Sequence, residues 1–173
     1  QADYVFGSGS AELVFQNEIA DGEEDTNGIS IPGPAISLNS GTMTDIAGDP
    51  VLLTFAGPDT STVLVDAVAP TVVSATGPIA GSYSDTANSN LDITVVMSDA
   101  VTVGGGTPFI PLTFGTEIRP AEYDAGLSTG NTLVFRYTIV SSTDVFANDT
   151  IGVGDIDLAG GTITIQDTAG NDV

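Results

Sequence analysis

Leu91, Ile93, Val95 and Met97 fall on every second residue, with Asp92, Thr94, Val96 and Ser98 between them. Leu133, Phe135, Tyr137 and Ile139 alternate in the same way with Val134, Arg136 and Thr138, and Ile163 and Ile165 with Thr162, Thr164 and Gln166. A period of two puts one set on a buried face and the other in solvent, which is the geometry of a strand. Turn clusters such as Gly104-Gly105-Gly106-Thr107-Pro108 and Ala169-Gly170-Asn171-Asp172 cut the chain between these runs. No window carries a convincing 3.6-residue period. Many short alternating strands at regular spacing predict an all-β sandwich.

The chain also repeats itself. Leu13-Val14-Phe15 matches Leu133-Val134-Phe135, and 133 minus 13 is an offset of 120. Ala2-Asp3-Tyr4 matches Ala121-Glu122-Tyr123, Ile19 matches Ile139, Leu38 matches Leu158, and Gly41-Thr42 matches Gly161-Thr162. After a two-residue insertion, Asp45, Ala47-Gly48 and Val51 match Asp167, Ala169-Gly170 and Val173. Matches in this order with so few gaps indicate an internal duplication. The expected organisation is the second half of one repeat over residues 1–51, its last strands and a linker over 52–70, and a sandwich repeat over 71–173. Val65–Pro70 reads as an extended linker, because Pro70 removes a backbone donor and biases Ala69 toward extended geometry.

Charge sets the function classes. The chain carries 23 Asp and Glu against two basic residues, Arg119 and Arg136, for a formal net charge of -21. It lacks the cations that replace counterions on phosphates, so nucleic acid is excluded as a partner. No apolar run reaches the length of a bilayer span, so membrane insertion is not expected. With no His, Cys or Lys, the usual general base, the thiol nucleophile and the Schiff-base amine are missing. The reading is non-enzymatic.

Four segments carry a resemblance. Val65-Asp66-Ala67-Val68-Ala69-Pro70-Thr71-Val72 resembles the junction of bacterial Ig-like tandem repeats. Met97-Ser98-Asp99-Ala100-Val101 resembles a strand end of those repeats, Asp167-Thr168-Ala169-Gly170-Asn171 their closing motif, and Asp21–Ile29 their acidic loop. Such repeats build large secreted adhesins, biofilm-matrix and surface-layer-like proteins. The resemblance implies an Ig-like, Greek-key sandwich, a secreted, cell-surface location, a structural or adhesive role, and Ca²⁺ at domain junctions. Neighbouring repeats or identical subunits are the implied partners. A carbohydrate-binding sandwich with a glycan or surface ligand is the alternative, weakened by the absence of Trp and by only four Tyr.

Two sets of acids are candidate Ca²⁺ ligands. Glu23, Asp25 and Asn27 alternate and are followed by Gly28, the spacing of an oxygen-ligand loop, although Pro34 stands where a closing Glu would be. The second copy, Asp149-Thr150-Ile151-Gly152, has lost one ligand to Ile151. Asp45 and Asp167 occupy equivalent places before Ala-Gly, and Asp66 lies at the junction; here the resemblance implies an inter-domain ion clamp. The competing reading of each is a local turn in which Asp caps its own backbone. Asn148-Asp149-Thr150 also fits a glycosylation sequon.

Two expectations concern burial. Phe135 and Tyr137 should be buried with Arg136 exposed between them, and Phe15 should be buried like Phe135. Against this, residues 1–68 hold the second half of a sandwich without the strands around Thr71–Ala75, Leu91–Met97 and Phe109–Phe114. A half sandwich leaves Leu13, Phe15 and Ile19 facing water with open strand edges. Three outcomes are open: the half is disordered or dimerises nonspecifically, a preceding segment completes it, or another subunit supplies strands in a head-to-tail filament.

Overall fold

The computed structural model describes residues 1–31, 33, 36–81, 83–85, 90–140 and 150–173. The chain divides into two compact units, Gln1–Val68 and Ala69–Val173. Every strand pairing is antiparallel.

Unit 1 contains β1 (Asp3–Phe6), β2 (Val14–Gln16), β3 (Glu24–Asp25) and β4 (Val65–Asp66). β1 pairs with β2, and β3 with β4. Val65 and Asp66, expected in the linker, are thus taken into unit 1 as a strand.

Unit 2 is the sandwich the alternation predicts. It contains β5 (Val72–Thr76), β6 (Asn90–Met97), β7 (Val101–Gly104), β8 (Phe109–Phe114), β9 (Glu117–Tyr123), β10 (Thr132–Thr138), β11 (Ile151–Val153) and β12 (Thr164–Asp167). Six strands form one sheet in the order β11-β8-β9-β10-β6-β5, and β12 pairs with β7 in a second. Consecutive strands β8, β9 and β10 lie side by side, and β11 returns to lie beside β8, which is the Greek-key arrangement.

The buried face is the one the period of two selects. Leu91, Ile93, Val95 and Met97 of β6 are all buried, as are Ile110, Leu112 and Phe114 of β8 and Leu133 and Phe135 of β10. Ile165 of β12 closes this core from the second sheet, with Val101 and Val103 of β7 packed against it. Gly105 lets the β7 end approach β12. Its φ is +76°, and a Cβ there would lie 2.1 Å from the Thr162 carbonyl oxygen.

Three side chains depart from simple alternation. Val134 is buried although it alternates with the core residues, and the turn at Asp124–Ser128 is bonded to its backbone, the Asp124 N–H reaching the Val134 carbonyl at 2.8 Å. The Ser128 hydroxyl accepts the Val134 N–H at 2.9 Å. Tyr137, expected buried, is half-buried, with its ring 5.8 Å from that of Phe114. Arg136, expected exposed, is half-buried because Asp92 holds it on both oxygens, Nε to Oδ1 and Nη2 to Oδ2, each at 2.8 Å. That pairing raises the Arg136 pKa, with the Asp92 hydrogen bond as the main cause.

Candidate functional site

The duplication read from sequence reappears as equivalent geometry in the two units. In unit 2, Tyr123 sits opposite Phe135 and Glu122 opposite Arg136. In unit 1, Tyr4 sits opposite Phe15 and Asp3 opposite Gln16. The ring pairs agree closely: Tyr4–Phe15 centroids are 5.9 Å apart at 67°, and Tyr123–Phe135 centroids 6.0 Å apart at 61°.

The closing turns match as well. Asp45 Oδ1 accepts from the N–H groups of Ala47 and Asp49, each at 2.9 Å. Asp167 Oδ1 accepts from Ala169, Gly170 and Asn171 at 2.9, 2.8 and 2.9 Å. The N–H of Val51 reaches the Met43 carbonyl at 3.1 Å, and that of Val173 reaches the Ile165 carbonyl at 3.0 Å. Short Asp side chains favour such turns because they bond their own backbone two residues on.

What differs is the covering. Phe135 is 0% exposed and Leu133 1%, whereas Phe15 is 37% exposed and Leu13 36%. The expectation that Phe15 is buried is therefore corrected, and the cause is visible in unit 2. There β10 lies between β9 and β6, with Phe135 opposite Ile93 and Leu133 opposite Val95. Among the described residues of unit 1, β2 pairs with β1 alone, and none is buried.

The pattern extends to strands that need the first half of the repeat. β11 and β12 pair with β8 and β7. Their counterparts in unit 1, Ile31 and Gly33 and Thr42–Asp45, form no described strand; only the Thr44–Pro50 bridge forms. Elements whose partner lies in the second half survive, and those whose partner lies in the first half do not. The open β2 edge with Leu13, Phe15 and Ile19 is the candidate site.

The candidate Ca²⁺ ligands occupy local turns. Glu23 Oε2 accepts from the Ala20 N–H at 3.0 Å. Asp25 Oδ1 accepts from Asn27 and Gly28 at 3.1 and 2.9 Å, so Asn27 joins that turn through its backbone. Gly28 is required there: its φ is +97°, and a Cβ would lie 2.4 Å from the Ser61 carbonyl oxygen. Asp66 Oδ1 accepts from Val68 at 3.2 Å. Asp167 is the most fully engaged, since Asn171 Nδ2 also donates to its Oδ2 at 2.9 Å. That bond, together with three backbone donors, holds the Asp167 carboxyl below the usual Asp range.

The ladder brings part of this set together. Glu24 faces Asp66 across β3 and β4, and Asp25 faces Val65. Glu23, Glu24 and Asp25 share a shallow groove of about 390 Å³ with Asn17, Ile19, Ile29 and Val65. Among the described residues no group of three or more acids is arranged to hold a metal ion. Pro34, Asp149 and Asn148 lie outside the described residues, and with them the loop-closing position, the second acidic loop and the sequon. Among the described residues no helix is long and apolar enough to cross a membrane.

The equivalence of β2 and β10 was legible in sequence, but Glu24 was missed. Its signal was its place beside two acids on a short strand. No family model, curated protein or solved structure matches the chain. Its own second copy is the one comparison that informs the site.

Proposed function

We propose that this chain is a non-enzymatic structural or adhesive segment of a secreted bacterial surface or matrix protein, built from tandem sandwich repeats. The observation that carries the reading is the duplicated geometry of the two units, down to the ring pair and the closing turn. Repeated units of one design in series suit a load-bearing rod, because each contributes its own stability.

Divalent cations, Ca²⁺ in particular, stiffen such a rod in this proposal. Unit 1 carries 11 acids and neither Lys nor Arg. Its β3–β4 ladder sets Glu24 against Asp66. Like charges directly opposite on a ladder destabilise it, and a cation nearby relieves the repulsion. Ligands of this kind are hard oxygens, which suit Ca²⁺.

Stretching single molecules between their ends tests the mechanical role. Unit 2 should unfold in one discrete event, with resistance from residues 1–68 that grows in millimolar Ca²⁺. Featureless extension of the whole chain would contradict a strut. A glycan array run alongside should show no specific binding; a saturable sugar ligand would favour the carbohydrate-binding module instead.

A further inference from the structure

We infer that the open β2 edge and its apolar face bind a first-half segment of a further repeat, in the register that β6 adopts on β10. Unit 2 specifies the occupant, because it shows the same surface covered. β6 runs antiparallel to β10 over seven residue pairs, from Thr132 opposite Val96 to Thr138 opposite Asn90. Carried over by the repeat, a residue of the Ile93 type falls opposite Phe15, of the Val95 type opposite Leu13, and of the Leu91 type opposite Asn17. The occupant is thus an extended strand with apolar side chains at every second position. It supplies main-chain hydrogen bonds along the edge and buries Leu13 and Phe15, which is strand addition to a sheet.

The occupant is not a second copy of these residues. Each copy holds one set of first-half strands, β5 to β8, and two second halves that compete for it. However copies exchange strands, one second half per chain stays uncovered. A head-to-tail filament that exchanges first-half strands among identical copies therefore removes no open face. Charge acts in the same direction, since each copy carries -21 and copies repel.

One residue tunes the register. Arg136 grips Asp92 with two hydrogen bonds in unit 2, and its counterpart in unit 1 is Gln16. The site in unit 1 therefore accepts a first-half strand without a carboxylate at that place. This inference rests on the tandem-repeat reading, but its test does not use mechanics or Ca²⁺, so the two fail separately.

The experiment adds a labelled synthetic segment with the sequence of residues 69–116 to the intact 173-residue chain. Anisotropy reads binding, and light scattering reads the mass of the chain alone. Saturable one-to-one binding is expected, with new amide protection at Val14–Gln16. Phe15→Asp should weaken it by at least about tenfold, because it places a charge in the apolar contact. Gln16→Arg should tighten it by up to about fivefold, and Asp92→Asn in the segment should cancel that gain. No binding, or binding indifferent to both changes, would overturn the inference. So would a chain that self-associates and protects Val14–Gln16 without the segment, since a second copy would then be the occupant.

Discussion

Phe135→Ala and Phe15→Ala are the same chemical change at two places that the repeat makes equivalent. Phe135 is fully buried, in contact with the ring of Tyr123 and opposite Ile93. Truncation there loses the transfer free energy of the ring and leaves a cavity, for about 3–5 kcal/mol. Phe15 keeps the Tyr4 contact but is 37% exposed. Roughly 100 Å² of apolar surface is then covered, at most about 2.5 kcal/mol by area, and the gap fills with water rather than remaining a cavity. The expected cost is about 1–2 kcal/mol, and it falls on unit 1 alone. Because two units need not melt together, each should be followed separately through urea by NMR, using Tyr4 for unit 1 and Tyr123 for unit 2. A loss at Phe15 equal to that at Phe135 would refute the reasoning, because it would mean that β2 is covered in the free chain.

Three further outcomes follow from the geometry. Gly105→Ala should destabilise unit 2 by more than about 1 kcal/mol in a denaturant melt, since φ is +76° and the new Cβ meets the Thr162 carbonyl. Asp167 has a carboxyl held below its unfolded value, so its contribution is complete above about pH 4 and is lost as pH falls through the folded value. Asp167→Ala should therefore lower the melting temperature at pH 7 and flatten its fall between neutral pH and acid. Adding millimolar Ca²⁺ at physiological ionic strength should raise the unit 1 melting temperature above its value in chelator, by mass action on the folded state; identical midpoints would remove the cation from the account.

Alternation was enough to place β6, β10 and β12, because each buries one face against a core and a slip of one residue would expose it. It failed at Val134, whose backbone bonds the Asp124–Ser128 turn, and at Arg136, which pairs with Asp92; neither contact is visible as periodicity. The repeat aligned Tyr4 with Tyr123 and Phe15 with Phe135, and the β1–β2 and β9–β10 pairings share that register. It misled about burial. A matching residue inherits a neighbour's conformation, but its exposure depends on strands elsewhere in the chain, and those strands have no counterpart in unit 1. The acids were legible both as turn formers and as cation ligands; in the structure Asp25, Asp45, Asp66 and Asp167 all accept hydrogen bonds from nearby backbone N–H groups. Their spacing alone carried both meanings.

Amide hydrogen exchange on the dilute, monomeric chain compares the two edges directly. β10 is bonded on both sides, and β2 on one. Amides of Val134–Tyr137 should exchange only through opening of unit 2, and those of Val14–Gln16 at least about a hundredfold faster. Equal protection of the two sets would contradict the claim that unit 1 is a half sandwich with an open edge.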